Sequence, residues 1–195
     1  MTFDDTLVGG HPLLDFLNTV QNQNKERSDS TISDWSSFVL WSKSASLFSP
    51  SQIESLEQSE VSLHESVKLV TGIHDLRELI YNALAQVITD NDQNQELTLL
   101  EERIKKAWAD AKLVRSETNF IWKSTRPNFE WVLDDILFSA ECLLRSSEIG
   151  RLKQCDRCSW MFINSGRGKG RRWCSMNTCG NRAKSSSHRK RNAAI

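Results

Sequence analysis

Two stretches near the end of the chain, Cys155-Asp156-Arg157-Cys158 and Trp173-Cys174-Ser175-Met176-Asn177-Thr178-Cys179, decide how this part folds. Two residues separate the cysteines of the first stretch, and four separate those of the second. Thiols paired at this spacing can place both sulfurs on one metal ion, and structural zinc takes a closed tetrahedron of four ligands. We therefore predict one structural Zn²⁺ bound by Cys155, Cys158, Cys174 and Cys179, with the last sulfur supplied by the first turn of a helix.

The alternative to a metal site is four reduced thiols in an ordinary small domain. A segment of about 45 residues is near the size limit at which a core holds without a metal or a disulfide. Disulfides are disfavoured because no secretory signal is recognised before the cysteines. Fifteen residues lie between the pairs, enough for a short hairpin, and the order of knuckle, hairpin and helix describes a treble-clef finger. Four thiolates leave no position for water, so the predicted zinc is not catalytic.

The charge of the chain is divided unevenly, although its net value is zero. Residues 151–195 hold twelve Lys or Arg and one acid, a balance of +11, whereas residues 1–150 hold thirteen against twenty-four, a balance of −11. Four thiolates around one divalent ion lower the balance of the tail to about +9. A small basic module joined to an acidic body predicts a polyanionic partner, and nucleic acid is the leading candidate.

The rest of the chain is predicted to be mostly helical with a small β-hairpin. Alternating apolar residues around 112–124 predict two short strands joined by a turn. Gly72 is expected to weaken any helix that continues beyond Val70, and Cys142 is expected to be a buried small hydrophobe. Helical periodicity or helix start signals occur at residues 13–21, 35–41, 50–56, 76–88, 97–108 and 128–146. The expected fold class is α+β, with a helical domain at 1–149 and a treble-clef finger at 150–195.

The tail also carries a resemblance to a known family. The run from Cys155 to Lys184, with Trp160 and Phe162 after the first cysteine pair and a CGNR sequence at its second, resembles the CGNR zinc finger of bacterial proteins. It departs from that pattern at two places. Asn164 stands where the family often has Asp, and the serines at 185–187 interrupt a stretch that is usually more basic.

The beginning of the chain resembles a second domain of the same proteins. The sequence GGHPLLDFLNTV at 9–20 is similar to the opening motif of the ABATE domain, and LRELIY at 76–81 is similar to an internal block. ABATE proteins are thought to be stress-induced regulators that sense an unidentified ligand with this domain. The resemblance therefore implies that Asp15, Asn18 and Arg77 contact the ligand.

Ordinary structural roles are the alternative for these three residues. Asp15 can lie in an exposed first turn, where the helix dipole favours an acid. Asn18 can satisfy nearby backbone groups, and Arg77 can pair with Glu78 or Asp75 on the surface.

The basic residues of the tail are candidate contacts with nucleic acid. Two lie on a glycine-rich turn able to follow phosphates, two precede Cys174, and the others lie on a final helix suited to a major groove. The candidates are Arg167, Lys169, Arg171, Arg172, Arg182, Lys184, His188, Arg189, Lys190 and Arg191. Asn181 and Arg182 have a second interpretation, in which they hold the finger together beside the metal. DNA is the expected partner, but RNA stays open because no stacking motif separates the two.

The leading expectation is a transcriptional regulator with a DNA-binding finger and a body that senses a small molecule or protein. In the alternative, the finger binds RNA or a protein, or docks on the acidic body of its own chain. An enzyme is least favoured, because no nucleophile motif, phosphate loop or catalytic carboxylate pair is present. No apolar run reaches the ~20 residues that cross a bilayer, so we expect a cytoplasmic protein without membrane contact. A homodimer stays open.

Overall fold

The computed structural model describes residues 7–89, 95–115, 120–166 and 170–192, except for the side chains of 187, 188 and 190–192. The predicted α+β class is confirmed. The helices are α1 (Pro12–Leu17), α2 (Trp35–Ser44), α3 (Pro50–Glu57), α4 (Leu63–Ile88), α5 (Gln95–Ala109), α6 (Trp131–Arg145) and α7 (Asn181–Asn192). The strands are β1 (Ala111–Arg115), β2 (Phe120–Ser124), β3 (Leu152–Gln154) and β4 (Met161–Ile163), paired as two antiparallel hairpins. None of the helices in this part of the chain is both long and apolar enough to cross a membrane.

The short helix α1 lies at the centre of the core. It packs on α4 and α6 and also reaches β4 near the end of the chain. Its four apolar side chains, Leu13, Leu14, Phe16 and Leu17, are fully buried. Pro12 suits the first turn of a helix, and Gly10 precedes it with a φ of 75°, a conformation that glycine adopts without strain. The helix ends at Leu17, four residues before the predicted end.

The long helix α4 runs through Gly72 without a break, although this glycine was expected to weaken a helix that continues beyond Val70. A capping box between Ser62 and Glu65 starts this helix. A Cβ atom at position 72 would lie 3.3 Å from Leu133 Cδ1 of α6. Glycine in a helix costs about 1 kcal/mol in propensity, and at this position it allows α6 to pack closely.

The predicted hairpin at 112–124 is confirmed as β1 and β2, but α6 begins later than predicted. Asn128 and Phe129 have φ values of 52° and 61°, so the helix begins only at Trp131. Cys142 is exposed, and the prediction of a buried thiol is wrong. Ala140 and Leu143 face the core from α6, and Cys142 lies on another side of the helix.

The finger shares a core with the body. Leu152, Met161 and Ile163 are buried in the cluster that contains α1, α4 and α6. In the other direction, Val20 of the body is buried against the cysteines of the finger. The backbone N–H of Ile163 donates to the Gly9 carbonyl at 2.7 Å, so β4 continues into contact with the start of the chain.

Candidate metal centre and nucleic-acid interface

The four paired cysteines converge on one point, as the sequence predicts. Their sulfurs all lie within 4.8 Å of one another, and all four residues are fully buried. The Cys158 and Cys174 sulfurs are 3.7 Å apart. A tetrahedron with metal–sulfur bonds of about 2.3 Å has sulfur–sulfur edges of about 3.8 Å, whereas a disulfide requires about 2.05 Å. The donor set therefore fits one tetrahedral metal ion.

Local structure places each pair. The first pair lies in the turn between β3 and β4, which closes with a bond from the Cys155 N–H to the Trp160 carbonyl at 2.8 Å. The hairpin therefore encloses the first pair and does not lie between the two pairs. A helical turn at Met176–Gly180 carries Cys179 into α7, which agrees with the prediction for the last sulfur.

A segment of the body covers the cysteine cluster, a role that no sequence pattern indicates. The Trp160 indole Nε1 donates to the Val20 carbonyl at 2.8 Å. The Ser159 N–H donates to the Asn24 carbonyl at 3.2 Å, and Lys25 Nζ donates to the Cys155 carbonyl. The segment at 20–25 thus accepts or donates bonds at three points around the first cysteine pair. Trp173 of the finger also packs against the cysteine cluster.

Asn18 joins the body to the finger. Its Nδ2 donates to the Met161 carbonyl at 2.9 Å, and its Oδ1 accepts from the Met161 N–H at 2.9 Å. Both residues are almost fully buried. The side chain therefore replaces a strand partner for β4 and satisfies both backbone groups of Met161.

Asp15 lies beside the entry to α1. Its Oδ1 accepts from the Gly9 N–H at 2.7 Å. Burial raises the pKa of Asp15 to about 6, although bonds from the backbone of Gly9 and Val8 and the nearby charge of Arg171 act in the opposite direction. The carboxyl is thus held between the turn before α1 and a cation of the finger.

Arg77 is buried, with 3% of its surface exposed, and it does not lie on the surface. Its guanidinium donates to Glu78 at 2.9 Å, to the Thr19 carbonyl at 3.1 Å and to Ser30 Oγ at 2.8 Å. It therefore fixes the segment that follows α1. In the described part of the chain, the side chains of Asp15, Asn18 and Arg77 bond to other groups of the protein, and their ligand role stays a prediction.

Two of the candidate nucleic-acid residues bind the body. Arg171 Nη2 donates to the Val8 carbonyl at 2.6 Å, and its guanidinium lies 4.0 Å from the centre of the Phe162 ring. Arg182 donates from Nη1 to the Asn22 carbonyl at 2.7 Å and from Nη2 to the Asn22 side chain at 3.1 Å. Arg182 therefore joins the finger to the body, whereas Asn181 bonds within the finger, where its Nδ2 donates to the Asn177 carbonyl at 3.2 Å.

The remaining candidates differ in how the structure describes them. Lys184 and Arg189 are exposed on α7. Arg172 is exposed and pairs with Asp156 of the finger at 2.7 Å. The backbone of α7 includes positions 188, 190 and 191. The side chains of His188, Lys190 and Arg191, and both residues Arg167 and Lys169, lie outside what the structure describes.

Asn164, which departs from the family pattern, organises the turn before the second cysteine pair. Its Oδ1 accepts from the N–H groups of Gly166 and Arg171, both at 3.2 Å. An Asp carboxylate could accept the same two bonds. The departure therefore preserves the local geometry.

Comparisons with known families match both parts of the chain. A model of the CGNR zinc finger matches residues 151–192. A model of the ABATE domain, described as "Putative stress-induced transcription regulator", matches residues 10–146. None of the curated proteins matches the chain.

Proposed function

Because this chain belongs to the ABATE family of transcription regulators and ends in a CGNR zinc finger, we propose that it binds DNA through the finger and senses a ligand with the body. The finger is held by one structural Zn²⁺, since four buried thiolates with tetrahedral spacing suit this ion. In this proposal Cys155, Cys158, Cys174 and Cys179 have no catalytic role, and the order of knuckle and helix is that of a treble clef.

One observation carries the DNA-binding proposal: α7 is a basic helix without acids, and its first turn is anchored to the body. Residues 181–192 contain five Lys or Arg and no Asp or Glu. Arg182 fixes the start of the helix on Asn22. At 100° per residue, positions 184, 188 and 191 lie 180–240° from position 182, on the opposite side of the helix. A rigidly placed helix with an outward basic face suits the major groove or the phosphate backbone.

The contacts between finger and body favour this function over autoinhibitory docking on the acidic body. In the parts of the chain that the structure describes, one salt bridge joins a basic residue of the finger to an acid of the body, and it lies at the domain boundary, between Arg151 and Glu148 at 3.1 Å. The finger docks instead through apolar side chains and bonds to backbone carbonyls. The exposed cations Lys184 and Arg189 are therefore available to an anionic polymer.

The test is fluorescence anisotropy of the zinc-loaded, full-length protein with a labelled B-DNA duplex over a series of salt concentrations. With five to eight phosphate contacts, the log–log slope of affinity against salt is expected to be about −4 to −7, and each contact contributes about 0.9. The double substitution Lys184→Ala and Arg191→Ala, which removes two charges from the outward face, should make the slope less steep by about 2 and weaken binding at every salt concentration.

A matched control removes the same charge from the body. Lys105 and Arg145 are exposed and pair only along their own helices, with Glu101 and Glu141. Their double replacement by Ala should leave both affinity and slope unchanged. A salt-independent wild type, or equal losses in the two double variants, would contradict the proposal. The same assay with a labelled RNA duplex and with a single-stranded RNA distinguishes RNA binding from DNA binding.

A further inference from the structure

Two adjoining cavities form one groove in the body, far along the sequence from the ABATE opening motif. The first has a volume of about 350 Å³ and the second about 510 Å³. Both are lined by Ser51 and Gln52 of α3, Lys123 of β2 and Asp135 of α6. The groove therefore runs between α3 and β2, with α6 as its floor. Volumes of about 300–1,000 Å³ are typical of small-molecule sites.

Asp135 is the only acid among the lining residues of the groove. Its carboxylate accepts a hydrogen bond from the Gln52 amide, and no salt bridge to it is found among the described residues. Burial raises the pKa of Asp135 to about 6, against the Gln52 bond and the nearby charge of Lys123. At neutral pH the group is therefore a largely ionised carboxylate with unused acceptor positions. A charged group in this situation favours a cationic donor.

Lys123 supplies the opposite charge on the strand side of the same groove. It lines both cavities, and no salt bridge or side-chain hydrogen bond of it is found in the described part of the chain. It lies near enough to Asp135 to lower the pKa of that carboxyl, but not within 4.0 Å of it. Asp135, which can bind a cation, and Lys123, which can bind an anion, therefore line the same groove.

Aromatic side chains flank these two anchors. Trp131 lines the first cavity, one helical turn before Asp135, and Phe138 lines the second, one turn after it. Trp122 of β2 lines the second cavity as well. Each end of the groove therefore offers an apolar surface next to the charged pair.

We propose that this groove binds a free α-amino acid, with its ammonium on Asp135, its carboxylate on Lys123 and its side chain against Trp131 or Phe138. Such a site would be the ligand-binding site of the sensor proposed above, and the inference rests on that proposed function. Arg115 lines the second cavity, and Arg126, which pairs with Asp110 and Asp134, lines the first. An inorganic anion could therefore use these cations, but it would leave Asp135 without a cationic partner, and a simple amine would leave Lys123 unpaired.

The position of the groove also suits a sensor. Asp135 lies on α6, and that helix leads through Leu143 into the connection that precedes β3 of the finger. Sixteen residues separate Asp135 from Leu152, which is buried in the core that the finger shares with the body. A shift of α6 on ligand binding would therefore reach the finger directly.

The test is calorimetric titration of the zinc-loaded, full-length protein with each of the twenty free amino acids. We expect saturable binding of at least one of them, with one site per chain. Its N-acetyl and carboxamide derivatives, which lack the ammonium or the carboxylate charge, should each bind at least tenfold more weakly. Asp135→Asn should lower the affinity at least tenfold, and Lys123→Gln should abolish the preference for the free acid over the amide.

Glu57→Gln is the matched control, because Glu57 lies on α3 but pairs with Lys43 outside the groove. It should bind the amino acid as the wild type does. Circular dichroism and thermal unfolding of every variant establish that each is folded before titration. The proposal is overturned if no free amino acid binds, if the derivatives bind equally well, or if a folded Asp135→Asn variant retains wild-type affinity.

The two proposals fail separately. DNA binding is measured without amino acid, so salt-dependent DNA binding in a protein that binds no amino acid overturns the groove alone. Amino-acid binding by a protein with no affinity for DNA leaves the groove in place and overturns the function proposed for the finger.

Discussion

The strongest prediction concerns Asn18, whose side-chain amide holds the finger to the body. Asn18→Ala removes the donor to the Met161 carbonyl and the acceptor from the Met161 N–H, both at 2.9 Å. Asn18 is 1% exposed and Met161 is fully buried, so solvent does not reach these backbone groups in the folded state. The substitution therefore leaves one buried donor and one buried acceptor without partners.

Each unsatisfied buried group costs about 1–3 kcal/mol, so the free energy of unfolding should fall by about 2–6 kcal/mol. The loss is concentrated at the contact between α1 and β4, next to the metal centre. If metal release requires this contact to open, a stability loss of about 2 kcal/mol makes the open state about 30-fold more populated, because about 1.4 kcal/mol changes an equilibrium tenfold. Metal release should then be about 30-fold faster.

Two measurements check this prediction: urea unfolding with Zn²⁺ in excess, and transfer of Zn²⁺ from the protein to a chromogenic chelator. Ser42→Ala is the control, because Ser42 is fully buried but its hydroxyl bonds only the Val39 carbonyl of its own helix. The free energy of unfolding of that variant should fall by less than about 1 kcal/mol, and the variant should release metal at the wild-type rate. Release from Asn18→Ala within threefold of the wild type would refute the reasoning.

Two further predictions follow from the finger interface. Because burial raises the pKa of Asp15 to about 6 in the folded state, from an ordinary value of 3.8, its contribution to stability is full below about pH 4 and is lost as the pH rises through 6. The free energy of unfolding of the wild type, measured relative to Asp15→Asn, should therefore fall by up to about 3 kcal/mol between pH 4 and 7; a pH-independent difference would exclude this role. Arg182→Ala should lower the free energy of unfolding in urea by about 1–3 kcal/mol, since it removes the two bonds to Asn22. Arg172→Ala removes only an exposed pair with Asp156 and should lower it by about 0–1 kcal/mol. Equal costs for the two arginines would contradict the docking role of Arg182.

Local sequence patterns predicted much of the fold because interactions between residues that are close along the chain determine where helices begin. Asp34 caps α2 and Pro50 begins α3, as their positions in the sequence indicate. The sequence did not indicate that α4 continues through Gly72, where close packing of Leu133 compensates for a poor helix propensity. The prediction failed at the start of α6 because two consecutive residues, Asn128 and Phe129, adopt positive φ values that no glycine signals.

For the candidate sites, the sequence predicted the residues that are close along the chain but not the contacts between distant segments. Cysteine spacing identified the four residues of the metal centre, and this set is confirmed as a buried cluster. The motif around Asp15 and Asn18 was recognised, but its contact with the finger was not. The groove around Asp135 carried no sequence signal, since its lining residues come from three separated elements.

The sequence by itself determined the four sulfur ligands, the segregation of positive charge into the tail and the periodicity of the main helices. These features depend on residues that are near one another along the chain, where spacing and residue type fix the chemistry. The tertiary structure alone decided that Asn18 completes β4 across 143 residues, that Arg171 and Arg182 bind the body, and that Asp135 faces Lys123 across a groove. Such contacts depend on how complete surfaces pack, and the burial that gives each polar group its partner exists only after the finger has docked.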